Sequence, residues 1–300
     1  LNVLVLAASL AAASPQQAAQ DTITPTFDWP AGTVLQGQAT ATQTQAQGGQ
    51  EIPGQTVEVS FTRTIADHPR GLLVTSEVQG EGADALPAYI VSEAGEFLAV
   101  QGVDEIVARM REQLLAAARA QSGGEVPPEA QQMAEQMFNA ESVEASAREE
   151  HQVLVGMWAG RTLRRNNVMM TSMRVPDAVT QGALPTEVEY VWRGFAPCAE
   201  GEAETSCIQL EATFFPDGDA LATAFEMAIT SQNAGAELFV NRASQTRTVR
   251  ILAQPDGLIP RRVEDRTDAE FDVEADGEFV DLTLTQIETT TFTVGGGLQP

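Results

Sequence analysis

Lysine is absent from this 300-residue chain, so all 17 basic residues are arginine. That absence points to genomic composition rather than to a function. Histidine and cysteine occur only twice each. Two histidines leave two candidate bases for a Ser–His or Cys–His dyad. The cysteines have no CxxC spacing and no histidine nearby in sequence, which disfavours a zinc site. A G-x-S-x-G elbow, H-E-x-x-H, a Walker A loop and G-x-G-x-x-G after a strand are also missing. An ordinary α/β-hydrolase, a zincin and a nucleotide-binding fold are therefore not expected. Positive charge is scarce against 42 acidic residues, and the net charge of −25 repels nucleic acid and anionic membrane surfaces. Apart from the N-terminus, no stretch approaches the length of a membrane span.

What is present suits a folded chain, with 43 % hydrophobic and 20 % charged residues. Leu1–Ala13 reads LNVLVLAASLAAA, the length of a signal-peptide apolar region. Ala11 and Ala13 stand at −3 and −1 of a cleavage site before Ser14. Residues 1–13 are expected to be the remnant of a signal peptide, and 14–26 a polar linker. The protein is then periplasmic or secreted. In that setting Cys198 and Cys207 are expected to form a disulfide, stabilising by roughly 2–3 kcal/mol on the chain-entropy model.

Period-two alternation begins at Thr33 and continues through QTVEVSFTRTI, where Val57, Val59, Phe61 and Arg63 share a face, and through GLLVTSEVQ. Gly48, Gly49 and Gly54 read as a hairpin loop, and PAYIVSEAGEFLAVQ as a hairpin turning at Ala94–Gly95. The period then becomes helical: Val103, Ile106, Val107, Met110, Leu114 and Ala117 lie on one helix face. Pro127 and Pro128 open a second helix and residues 142–158 form a third, giving a helical block at about 103–159. Strands return after Gly160. Asp219 is expected to cap a helix over ALATAFEMAITSQN. Asp-Gly pairs at 256–257 and 276–277 mark hairpins in the last third.

This order predicts an α+β fold: a large curved antiparallel meander packed against the helical block and one later helix. Residues 27–293 are expected to form one domain and 294–300 a loose tail. The order of elements, the export signal and the hairpin ILAQPDGLIPRRVEDRT resemble exported lipoprotein carriers of the LolA-like half-barrel type. That resemblance implies a curved sheet wrapped round helices, with an apolar cavity for acyl chains. It brings no functional residue with it.

No catalytic, cofactor or metal residue stands out, so the sequence favours a non-enzymatic role and leaves an enzyme of unrecognised type as a further reading. His68 in ADHPRG belongs to a turn. His151, among Arg148, Glu149, Glu150 and Gln152, belongs to a solvated helix face. Asp272, Glu274, Asp276 and Gly277 imitate the start of an EF-hand loop, but its twelfth position is Thr283, where a bidentate Glu is required. A hairpin with outward carboxylates accounts for them. Met110, Met133, Met137, Phe138, Met157 and Trp158 could line a groove for a lipid or other apolar ligand. Met169, Met170 and Met173 form a second methionine cluster. Core packing accounts for the same residues. A structural or assembly role remains as an alternative, with a partner or a second copy adding to an exposed Thr-rich edge such as Asp281–Val294.

Overall fold

A computed structural model describes residues 21–79, 86–122, 124–176, 183–199, 206–232, 238–275 and 277–295. The expected signal peptide, most of the linker and the last five residues of the tail lie outside that set. The end of the linker does not: β1 (Thr22–Ile23) and β2 (Thr26–Phe27) fall within it. β1 pairs with β8 (Leu163–Arg164), and β2 pairs with β13 (Asp256–Gly257). Apolar Ile23 and Phe27 pack against the main core, which ties this polar stretch down.

The other strands are β3 (Val34–Gln47), β4 (Gln50–His68), β5 (Gly71–Gln79), β6 (Leu86–Val91), β7 (Phe97–Gln101), β9 (Met169–Pro176), β10 (Ala183–Pro197), β11 (Ser206–Pro216), β12 (Leu238–Ala253), β14 (Pro260–Ala275) and β15 (Glu278–Val294). Together they form one 11-stranded antiparallel sheet in the order β7-β6-β5-β4-β3-β15-β14-β12-β11-β10-β9. Each half is a meander of sequence neighbours. The seam between the halves pairs β3 with β15, from Leu35↔Val294 to Gln47↔Leu282. β15 is therefore central, with β14 on one side and β3 on the other. This corrects the expectation of an exposed edge over Asp281–Val294. Its odd-numbered threonines share one face, while Thr290 is buried on the other beside Phe292.

Side chains alternate across the sheet. Leu35, Phe61, Ile65, Val74, Tyr89, Val188, Trp192, Leu210, Val249, Ile251 and Phe292 are buried in one apolar cluster. At Gly37 a Cβ would come within 2.3 Å of the Phe61 ring, so only glycine lets that ring lie flat on the sheet. The β3–β4 hairpin turns at Gly48–Gly49 as expected, but Gly54 lies inside β4, and Asp256–Gly257 forms β13 within the longer connection from β12 to β14. Ala275 pairs with Glu278 around Gly277, whose φ of +81° suits the two-residue turn.

The helical block comprises α1 (Val103–Gln121), α2 (Pro128–Met137) and α3 (Ala140–His151), close to the expected spans. α3 opens with a capping box between Asn139 and Ser142 and buries Val143, Ala147 and His151 on one face. It runs into a π-helical turn, Gln152–Gly156, whose Val153, Leu154 and Val155 are buried. The fourth helix, α4 (Gly218–Gln232), is capped by Asp217, not by Asp219. The Asp217 carboxylate accepts from the Ala220 N–H at 2.9 Å, while Asp219 lies inside the helix. α4 serves a second apolar cluster, in which Leu221 is buried with Leu184, Ala269, Phe271 and Val273. Phe225 stacks on Phe271 at 4.1 Å.

Cys198 and Cys207 are bonded, with Cα atoms 4.9 Å apart. The bridge spans the end of the β10–β11 ladder, where Ala196 pairs with Cys207. No helix among the described residues is long and apolar enough to cross a membrane.

Candidate functional site

Both apolar clusters lie on the same sheet face, and register shows a polar belt between them. Gln55, Gln43, Gln286, Thr267 and Arg247 stand opposite one another across β4, β3, β15, β14 and β12. The next row runs Val57, Ala41, Glu288, Asp265 and Val249. Helix α3 meets this belt through Glu149, while the next two side chains, Glu150 and His151, turn into the main core.

Glu149 pairs with Arg247 on β12. Arg247 also forms a fork with Asp265, at 2.7 Å from Nη2 to Oδ2 and 3.0 Å from Nε, and lies over the Phe214 ring. Burial alone would lower its pKa, but hydrogen bonds and charge from Asp265 and Glu149 outweigh that and raise it. Glu150 accepts from Arg63 Nη2 on β4 at 2.5 Å, and Arg63 Nε donates to Ser76 at 3.0 Å. The Arg63 side chain is buried between the Phe61 and Phe292 rings. Burial opposes its charge, yet the carboxylate of Glu150 more than compensates.

His151 overturns its sequence reading. It is buried, not solvated, inside a ring of Phe27, Trp29, Tyr89 and Phe97, with centroids 5.7–6.4 Å away. Its Nε2 lies 2.7 Å from the Gly95 carbonyl. A carbonyl only accepts, so Nε2 carries a proton and donates it to Gly95. Burial pushes its pKa below the usual 6.5 despite that hydrogen bond. His68 does lie in a turn, where Nδ1 accepts from the Arg70 N–H. Glu288 remains open to solvent, but partial desolvation and the carboxylates of Asp265 and Glu150 raise its pKa.

Of the residues read as a ligand lining, Met157 and Trp158 are buried in the main cluster and Met110 packs half-buried against it. The Trp158 indole donates to the Val153 carbonyl at 2.6 Å and meets Tyr190 edge-on. Phe138 is half-buried at the end of α2, and its carbonyl accepts from Arg111. The side chains of Met133 and Met137 lie outside the described set. Met169 and Met173 pack against the core, whereas Met170 points outward. Among the described residues, no group of three His, Cys, Asp or Glu is placed to hold a metal.

Beyond the helices the apolar row is open. Val57 is 53 % exposed and Ile52 46 %, and Ala39, Ala41 and Val59 are half-buried. Two clefts open elsewhere. One is lined by Asp21, Thr22, Arg164, Arg165 and Asn166, the other by α4 and residues 240–243.

No protein-family model matches the chain. No curated protein matches it either. Among solved structures, one of lipovitellin described by its lipid–protein interactions is 11 % identical, with a TM-score of 0.41. The match covers 91 % of this chain and 26 % of lipovitellin. An outer membrane channel of Pseudomonas putida F1 is 6 % identical at a TM-score of 0.19, over 89 % and 97 % of the two chains. Similarity at this level says nothing about ligand or mechanism.

Proposed function

We propose that this chain is a non-enzymatic protein of the periplasm or cell exterior that holds an apolar ligand, such as an acyl chain, against the inner face of a half-barrel sheet. Residues 27–293 act as one domain in this reading. The observation that carries it is the open apolar row of Ile52, Val57, Val59, Ala39 and Ala41, on the same face as the sealed core. Exposed apolar surface on a concave face favours a ligand that removes it from water. The edge strands β7 and β9 both have Cα atoms within 8 Å of α3, which supports the curvature. The Cys198–Cys207 bridge is consistent with an oxidising compartment.

The test is the thermal midpoint with and without palmitate or short-chain phosphatidylglycerol, for wild type, Val57→Asp and Met137→Ala. A ligand that binds only the folded state raises the midpoint. Val57→Asp should abolish that rise while the unliganded midpoint stays close to wild type, because the position is already solvated. If Met137 lines the site, Met137→Ala lowers ligand binding more than stability. A flat midpoint with every apolar ligand overturns the reading, as does native mass spectrometry of the protein from its own host showing no bound lipid.

A second reading rests on β4. Its ladder to β5 begins only at Ser60↔Gln79, so among the described residues Gln50–Val59 is paired on one side alone. A free edge of ten residues can accept another strand. Pro53, Glu51 and Glu58 blunt it. Sedimentation across a concentration series would show self-association if that edge is used by a second copy, and Thr56→Pro would suppress it.

A further inference from the structure

Three of the chain's 17 basic residues fall within five positions, Arg161, Arg164 and Arg165. The fold carries them to one end of the sheet, beside Arg193. Most outward arginines of the neighbouring strands are matched with acids: Arg193 and Arg250 with Glu211, Arg250 and Arg262 with Glu264, and Arg266 with Asp268. Arg164 and Arg165 have no carboxylate within salt-bridge distance among the described residues, although the chain has 42 acids to offer. Both line the cleft of about 530 Å³ introduced above, with Asn166 beside them and Asp21 and Thr22 on the other wall.

The lining residues are exposed, but Arg165 and the backbone beneath are held in place. Arg165 donates through Nε to the Arg193 carbonyl at 3.3 Å. Its guanidinium lies over Gly194, where a Cβ would come within 2.9 Å of Nε. Gly194 has a φ of +127°, at the bulge that follows Trp192, so the chain bends there in a way that favours glycine. The backbone under the cleft is tied to both neighbours. Arg165 N–H donates to Asp21 at 3.0 Å, Asn166 N–H to Trp192 at 2.8 Å and Asn167 N–H to Arg164 at 3.1 Å. Asn166 holds a left-handed φ of 57°, which asparagine tolerates. These contacts use the Arg165 Nε, and its terminal nitrogens have no hydrogen-bond partner among the described residues.

We infer that this cleft binds an oxyanion, a phosphate group in particular, clamped by Arg164 and Arg165. Guanidinium forks match phosphate oxygens in pairs, and an anchored arginine loses less freedom on binding than a loose one. The net charge of −25 repels anions at long range, so recognition here is a contact effect confined to the cleft. The Asp21 carboxylate suits a ligand with a hydroxyl or amine beside a single oxyanion better than a bare polyanion. Such a group occurs on a free phosphate ester and on a phospholipid head.

Titration calorimetry of the whole protein with inorganic phosphate and with glycerol 3-phosphate tests this, alongside co-sedimentation with phosphatidylglycerol vesicles. Glycerol 3-phosphate should bind more tightly than inorganic phosphate. Arg164→Gln/Arg165→Gln should weaken it by about 10-fold or more, the scale of losing charge-assisted hydrogen bonds. Arg119→Gln, at the exposed end of α1, should leave it unchanged. Retention on vesicles that the double variant loses identifies a lipid head as the source. Binding of the small ester without retention identifies a free phosphate ester. If the double variant does not fold, Thr22→Asp supplies the readout by adding a second carboxylate to the wall. Absence of binding by all three probes, or equal binding by wild type and the cleft variant, overturns the inference.

Discussion

Glu149 and Glu150 are consecutive in α3, yet they hold arginines four strand positions apart, Arg247 on β12 and Arg63 on β4. Four spacings of about 4.8 Å measure roughly 19 Å across a flat sheet, and Arg63 lies a further eight residues along β4 from the row of Arg247. Neighbouring Cα atoms are only about 3.8 Å apart. The two arginines therefore converge on one turn of helix from strands far apart in the sheet.

Removing one carboxylate leaves a buried guanidinium without its counter-charge. Stranding one partner of a buried pair costs about 3–5 kcal/mol. Glu150 is itself 44 % exposed, and Ser76 still accepts from Arg63, so Glu150→Ala should cost less, about 2 kcal/mol. Urea unfolding of the single variants and of Arg63→Met/Glu150→Met checks this. The double variant should recover most of the loss, and an unchanged midpoint for Glu150→Ala would show that the pair does not hold the helix.

His151 sets a pH dependence whose sign follows from its lowered pKa. Below 6.5 the unfolded chain binds a proton at this residue while the folded chain does not. Stability from this group is therefore full above 6.5 and falls as pH drops toward the folded value. His151→Phe should flatten the stability profile between pH 7 and 5. Chemical denaturation at several pH values measures it, and an equal slope in both proteins would refute the assignment.

Glu288 acts in the opposite direction. Its folded pKa lies above the ordinary 4.5, so its ionisation weakens the folded state as pH rises through the folded value. Glu288→Gln should stabilise the protein at pH 7 by a few tenths of a kcal/mol or more, the scale of relieved surface repulsion. The gain should vanish below pH 4.5. A destabilised variant at pH 7 would mean that the carboxylate is needed there.

The disulfide gives a chemical test. Thiol labelling under denaturing, non-reducing conditions should find no free thiol. Cys198→Ala/Cys207→Ala should lower stability by about 2–3 kcal/mol, as expected for closing a short loop.

Much of the local structure was legible in the sequence because it is written in short-range signals. Asp276–Gly277 between alternating runs gave the last hairpin, Pro128 the start of α2, and two nearby cysteines their bond. Strand order was not legible, since nothing in Asp281–Val294 says that its neighbours are β14 and β3. His151 was misread for a related reason. Arg148, Glu149 and Glu150 beside it look like a solvated run, but Arg148 lies over Phe97 and both glutamates reach buried or half-buried arginines. Their partners are 87 and 98 residues away. Helical periodicity cannot distinguish a charged face in water from one seated on a polar belt. Asp217 lost the cap to Asp219 on paper because the helix starts within a turn where either could serve.

The seam between β3 and β15 has a kinetic consequence. Each half-sheet can grow by contacts between strands that are neighbours in sequence, most of them hairpins, with α4 in the connection from β11 to β12. The seam joins residues as far apart as Leu35 and Val294, and that contact brings no return until both halves exist. Chains whose contacts are this distant in sequence fold slowly, on scales of milliseconds to seconds or longer. Strand β15 is the last of the sheet in the chain, so during synthesis the side of β3 that pairs with it waits unpaired until every other strand of the sheet has been made. During that interval it is open to pairing with another chain.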